Sequence, residues 1–170
     1  RVIHPPELTI IIPTYNERDN IRPLVERLEG VLEGINWSAL FVDDNSPDQT
    51  ADVVEEVGRH QPRVKCLLRI GRRGLSSACI EGMQASEAPY LAVMDADRQH
   101  DETILPRMLE ALKQDGTEMV VASRYSEGGD MSDWSRGRRI FSKTATHLAK
   151  TLFAHGPSDP MSGFFMLRRE

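Results

Sequence analysis

Four acidic residues crowd the run from Tyr90 to Glu102, "YLAVMDADRQHDE", where Asp95, Asp97, Asp101 and Glu102 follow directly on a short apolar stretch. Asp95 and Asp97 are two apart where the chain is still extended, so their side chains leave on the same side. Two carboxylates brought together in a partly buried place repel each other unless a cation sits between them. Hard oxygen ligands of this kind suit Mg2+ or Mn2+, ions that keep substrate phosphate oxygens in their remaining positions. Gln99, two further on, adds a neutral carbonyl oxygen. Asp101 and Glu102 stand just before a helical pattern and read instead as capping acids. His100 is the histidine nearest the cluster and is not read as a ligand.

Other segments carry weaker signals. Asp43 and Asp44 end an apolar run in "SALFVDD". A carboxylate there is placed to accept hydrogen bonds from a base or ribose. The alternative is that both belong to the turn "DDNSPD", whose residue types favour turns anyway. Arg124 follows another apolar run, where a guanidinium can grip a phosphate through two parallel hydrogen bonds. Further on, "WSRGRRIFSK" gathers Arg136, Arg138, Arg139 and Lys143 in an acidic chain. It reads as a solvated basic turn, an anion site or a contact with an anionic membrane face. Behind it Phe141, Ala145, Leu148, Ala149 and Leu152 repeat at helical spacing, as a core helix or one lying on a membrane surface does. Gly71 and Gly74 in "GRRGLSSA" match no phosphate-loop fingerprint and read as turn glycines near the ligand.

The elements that must position these residues are short apolar runs alternating with helical patterns. Leu8–Ile12, Leu40–Val42, Val64–Leu68, Tyr90–Met94 and Met119–Ala122 read as buried strands. Ile21, Leu24, Val25, Leu28, Val31 and Leu32 fall on one helical face, and Ile104, Leu105, Met108, Leu109 and Leu112 on another. Ala51, Val54 and Val57 mark a shorter helix after Asp48, the expected N-cap. Repeated β then α predicts an α/β fold with a mostly parallel sheet and helices on both faces. Ligands of such sheets sit outside the carboxyl ends of the strands, so the five segments that follow the strands should converge on one rim.

At 170 residues the chain is expected to form a single domain. A formal charge of -5 argues against a general nucleic-acid binder. Cys66 and Cys79 have no metal-site spacing and read as free thiols in a reducing compartment. No apolar run reaches bilayer-spanning length. The start "RVIHPPELTI" and the strand-like end "SGFFMLRRE" both read as cut, so residues 1–170 are expected to be one catalytic domain truncated at its C-terminus.

Six segments, "IIPTYNE", "VDDNSPD", "GLSSA", "MDADRQH", "ASRYSEGG" and "DPMSGFF", resemble in that order the motifs of the family 2 glycosyltransferases. More narrowly they resemble the polyprenyl-phosphate (dolichyl-phosphate) mannosyltransferases. The resemblance covers nearly the whole chain. It implies a GT-A fold and metal-dependent, inverting transfer of mannose from GDP-mannose to a polyprenyl phosphate, with Mg2+ or Mn2+ as cofactor. It assigns donor binding to Pro13, Tyr15, Glu17, Val42, Asp44, Asp95, Ala96, Asp97 and Arg124. Metal binding falls to Asp97, Gln99 and Asp95, and the catalytic roles to Asp97 and Arg124. By the spacing of "RRIFS", Arg138 and Ser142 meet the acceptor phosphate, with Arg139 close enough to compete for that role. The resemblance also implies a membrane surface as partner on its cytoplasmic side, peripheral or anchored by a segment or subunit outside these residues, and no nucleic acid. The chain departs from the family pattern at Arg98, at Asp101 and at Gln49, which stands where glycine is common. Two other readings stay open: the same reaction with a donor such as UDP-glucose, and a non-catalytic nucleotide-sugar-binding module. A nicotinamide-dependent oxidoreductase is disfavoured, because the first βα turn, "PTYNE", has no glycine fingerprint.

Overall fold

Strand β1 (Leu8–Thr14) is buried almost throughout, and its unbroken apolar run is what a strand covered on both faces requires. It belongs to a computed structural model that describes residues 5–97, 99–122 and 163–169. Helix α1 (Arg18–Val31), β2 (Trp37–Asp43), α2 (Thr50–His60), β3 (Val64–Leu68), α3 (Leu75–Ala85) and β4 (Tyr90–Val93) follow. A 3-10 turn (Glu102–Ile104) leads into α4 (Leu105–Lys113), then β5 (Met119–Val121) and β6 (Phe165–Arg168). The sheet order is β3-β2-β1-β4-β6-β5. Strands β1 to β4 are parallel, and β6 is antiparallel to both β4 and β5, so β5 shares the common direction.

Alternation along β1 divides the core. Ile10 and Ile12 face the layer of α1, α2 and α4, where they meet Leu24, Leu28, Val54 and Leu109. Ile11 faces the other way, with Val42, Val93 and Ala78 of α3. The sequence did not announce α3, because its buried positions are the small residues Ala78 and Gly82 rather than an apolar stripe. Smallness is what the packing needs. A Cβ at Gly82 would lie 2.5 Å from Ile11 Cγ2 and 2.9 Å from Val42 Cγ2, so the helix rests directly on the sheet.

The strands otherwise lie where the apolar runs place them, with shifted ends. β1 continues to Thr14, and Pro13 is tolerated inside it because β4 pairs only as far as Ile11. Asp101 accepts from Thr103 N–H at 3.1 Å, as a capping acid should. Glu102 does not cap: it is buried and pairs with Arg27 of α1, tying that helix to the turn before α4. The run of β2 and β3 lies on one side of β1 and β4 on the other, so the topological switch point falls between β1 and β4. Among the described residues no helix is long and apolar enough to cross a membrane.

Candidate active site

The rim on the β1–β2–β3 side is built from turns that hold one another. The N–H groups of Asn16, Glu17 and Arg18, three in a row after β1, donate to Ser46 Oγ, Thr50 Oγ1 and Asp48 Oδ2 at 3.0, 3.0 and 3.2 Å. The donors are amides at and just before the start of α1, which the helix itself cannot satisfy, and the acceptors come from the turn after β2 and the first residue of α2. Burial raises the pKa of the Asp48 carboxyl, but the hydrogen bonds from Thr50 and Arg18 outweigh it and leave the net value lowered from 3.8. Asp43 is fully buried. Its Oδ1 accepts from Thr14 Oγ1 and Ser46 Oγ at 3.0 and 2.6 Å, and its Oδ2 from Ser46 N–H at 2.8 Å.

Both oxygens of Asp44 are also engaged, with one donor each. Its Oδ1 accepts from Arg69 Nη1 and its Oδ2 from Gly74 N–H, both at 2.9 Å. Arg69, only 1% exposed, also donates from Nη2 to Ser77 Oγ at 2.6 Å and from Nη1 to the Gly74 carbonyl at 3.2 Å. Its Nε makes no hydrogen bond but lies 3.5 Å from Glu81 Oε1, within ion-pair range. Sequence reading missed Arg69; the available signal was a single cation following the strand "VKCLL" directly. Gly71 and Gly74 both have positive φ, as turn glycines do.

The other donor-site candidates of this half lie close by. Tyr15 is 42% exposed, with the Arg73 guanidinium 4.7 Å over its ring. Pro13 and Glu17 are half-buried, and Glu17 Oε2 accepts from Asn20 Nδ2 at 2.6 Å. Val42 is fully buried beneath α3, so its side chain belongs to the core rather than the rim.

Across the switch point the acids are open. Strand β4 ends at Val93, and Asp95 to Asp97 lie in the bend beyond it. Alternation persists through the bend: Ala96 turns into the core, the Asp95 side chain is 39% exposed, and Asp97 is exposed. Asp97 Oδ1 accepts from Gln99 N–H at 3.1 Å, which folds the exposed Gln99 back toward it. Asp95 Oδ2 meets Nε2 of the buried His100 at 3.0 Å. Arg98, Arg124, Arg138 and Ser142 lie outside the described residues.

Among the described residues no three acid, histidine or cysteine side chains gather into a metal cage. A Mg2+ or Mn2+ site that relies on substrate phosphates needs only one or two carboxylates, however. The donor set of Asp95, Asp97 and Gln99 is all hard oxygen, and the backbone at Gly163 leaves the Asp95 carboxylate a seat that a Cβ would crowd at 3.2 Å. The residues present therefore fit such an ion. Both cysteine thiols are held in the protonated form. Burial, with Asp43, Glu55 and Asp52 nearby, pushes Cys66 up to about 12, and burial with Asp95 nearby pushes Cys79 up to about 11.

The described residues thus form a mostly parallel sheet with a loop-built rim at its switch point and open carboxylates beyond its fourth strand. The chain belongs to glycosyl transferase family 2, whose model matches residues 9–170. It is 39% identical over 166 residues to a dolichol-phosphate mannosyltransferase of Pyrococcus furiosus, covering 96% of this chain and 47% of that protein. It is 36% identical over 168 residues to the dolichol-phosphate mannosyltransferase of Saccharomyces cerevisiae, covering 96% of this chain and 61% of the relative. The chain thus spans about half the length of the curated relatives it matches. Among solved structures, a Pyrobaculum calidifontis mannosyltransferase in complex with GDP-Man and Mn2+ superposes with a TM-score of 0.64 at 18% identity, covering 98% of this chain and 45% of that one. Glucosyl-3-phosphoglycerate synthase of Mycobacterium tuberculosis, with Mn2+, UDP and phosphoglyceric acid, gives 0.63 at 16% identity, covering 96% and 56%. These likenesses establish the GT-A fold.

Proposed function

We propose that the protein transfers mannose from GDP-mannose to a polyprenyl (dolichyl) phosphate, using Mg2+ or Mn2+. The observation that carries this reading is the rim itself: the "PTYNE" turn and the "DAD" bend flank one switch point, the place where an α/β sheet binds nucleotides. The names of the relatives at 39% and 36% identity support the mannosyl donor and lipid-phosphate acceptor. The fold alone does not separate the donors, since the GDP-Man and UDP complexes superpose almost equally well, at 0.64 and 0.63.

In this reading Asp95, Asp97 and Gln99 hold the ion and the donor diphosphate. Tyr15 and Glu17 line the nucleotide, and Asp44 reaches it through lone pairs left over from Arg69 and Gly74. Arg124 grips phosphate, and Arg138 with Ser142 receives the acceptor. A lipid phosphate is already an anion near neutral pH, so its oxygen attacks the anomeric carbon without a general base. The bond from that carbon to the diphosphate breaks, GDP departs with the electron pair, and the configuration inverts. When bound, the divalent ion offsets the charge that builds on the departing diphosphate. The remaining task of the chain is orientation, which suits a site of carboxylates and arginines with no catalytic histidine.

The partner surface is the cytoplasmic face of a membrane. The loop after β3 and the two residues that flank it support a membrane contact, with Leu68 43%, Ile70 71% and Leu75 55% exposed near Arg72 and Arg73 in sequence. Apolar side chains flanked by cations match an anionic bilayer interface. Arg72 also pairs with Glu81 at 3.1 Å. Co-sedimentation with anionic vesicles tests this, and equal recovery with and without vesicles would count against it.

Calorimetric titration of GDP-mannose and UDP-glucose, each with and without Mn2+, tests the donor assignment. Mn2+-dependent GDP-mannose binding is expected, with mannosyl transfer to a polyprenyl phosphate. A preference for UDP-glucose would move the assignment to that donor, and binding without transfer would make the chain a binding module.

A further inference from the structure

The segment "SGFF", which enters β6, is among the motifs singled out in the sequence, yet the mechanism above gives it no role. Its position follows from strand register. β6 runs antiparallel on β4 with Val93 opposite Phe165, so continuing two places sets Phe164 level with Met94 and Gly163 level with Asp95. At Gly163 an added Cβ would lie 3.2 Å from Asp95 Oδ2 and 3.7 Å from both Cγ and Oδ1. The backbone there forms a wall against the carboxylate. Phe164 is buried, and its ring lies 5.2 Å from that of His100 at an interplanar angle of 48°. The His100 side chain is itself 3% exposed, and its Nε2 meets Asp95 Oδ2 at 3.0 Å.

One oxygen of Asp95 is therefore occupied from below, while the side chain remains partly open to the rim. Among the described residues nothing donates to Oδ1. The terminal torsion of an aspartate is soft, so an unsupported carboxylate would sample many orientations. A small divalent ion demands near-ideal geometry, and the groups that orient its ligands are as much part of the site as the ligands.

We propose that His100, braced by Phe164, is a positioning residue that turns Oδ1 of Asp95, itself seated against Gly163, toward the divalent ion. The inference rests on the metal reading above. In it His100 touches neither ion nor donor and acts only through Asp95. The Nε2 nitrogen carries the proton and donates to Oδ2. This gives the histidine of "DADRQH" and the "GF" of "SGFF" a single task, although more than sixty residues separate them.

The test is Mn2+ binding in the presence of GDP, followed by the electron paramagnetic resonance of free Mn2+, with thermal unfolding of each variant alongside. His100→Phe keeps a ring against Phe164 and removes the donor; it is expected to weaken Mn2+ binding by about 10- to 100-fold, the usual cost of losing an outer-shell partner. His100→Gln keeps a donor and is expected to lose less. In a transfer assay the Mn2+ concentration for half-maximal rate should rise in His100→Phe while kcat at saturating Mn2+ recovers, a rescue that general structural damage would not allow. A folded His100→Phe that binds Mn2+ like the wild type overturns the inference. If that variant does not fold, Gly163→Ala decides: weaker Mn2+ binding by the folded protein supports the inference, and wild-type binding overturns it. A wild-type protein that takes no Mn2+ removes the metal reading itself, which is a separate result.

Discussion

The two halves of the rim use the same residue type for opposite purposes. On the β2 side Asp43, Asp44 and Asp48 direct their oxygens at the protein's own hydroxyls, amides and Arg69. On the β4 side Asp97 is exposed and Asp95 is half open, held through one oxygen only. Carboxylates with a donor on every oxygen build a rigid wall that has no more than a spare lone pair to offer, whereas a carboxylate with a bare oxygen is free to take an ion. Acids close in sequence to a strand end are thus not equivalent, and what separates them is how many donors the neighbouring turns supply.

That contrast predicts stability effects on one side and binding effects on the other. The largest effect is expected from Asp97→Ala, which should weaken Mn2+-dependent GDP-mannose binding by more than about 100-fold. Its unfolding free energy should move by less than about 0.5 kcal/mol, because the side chain is exposed. A large loss of stability would erase the distinction between the halves. Next comes Arg69→Leu. It leaves Asp44 buried without its cation and should cost about 3 kcal/mol in urea unfolding, since breaking a buried pair strands a charge. An unchanged midpoint would mean that Asp44 is solvated, like the acids of the other half.

Smaller effects sharpen the comparison. The Asp48 carboxyl titrates below its ordinary value of 3.8 in the folded protein, so its contribution to stability is full above that pH. The contribution is lost as pH falls through the lowered folded-state value. Asp48→Asn should therefore remove part of the acid-side slope in an unfolding series, and an identical slope would refute the assignment. The smallest change is expected from Gln49→Gly. Gln49 holds φ +68, a left-handed conformation that disfavours side chains. Relief of that strain, less the added freedom of the unfolded glycine, should stabilise by about 0.5 kcal/mol in thermal unfolding. Destabilisation would show that the Gln49 side chain contributes more than its backbone costs.

Much of this was legible beforehand, for identifiable reasons. β1, β2 and β4 announced themselves because strands covered on both faces run apolar, and the edge strands β3 and β5 through shorter apolar runs. α1 and α4 did so through their one-sided faces, and Asp101 through its place before a helix. α3 stayed hidden because close packing on the sheet selects for small residues, which leave no stripe. Glu102 was misread as a cap because its partner Arg27 lies 75 residues earlier. The choice between ligand and turn for Asp43 and Asp44 stayed open for a similar reason: the donors that settle their environment, Thr14, Arg69 and Gly74, belong to other segments.

Residue type and local spacing by themselves determined that this is an α/β chain whose loops gather at the carboxyl ends of its strands, and that "DADRQ" offers only hard oxygen atoms from Asp95, Asp97 and Gln99 to the site proposed there. These follow from periodicity and ligand chemistry, which act over a few residues. Only the tertiary structure decided which acids are spent on the fold and which remain open. Only it reversed β6 beside β4 and so brought Gly163 and Phe164 up to Asp95 and His100. Hydrogen bonds and steric contacts of that kind depend on distances in space, and those exist only once the sheet has assembled.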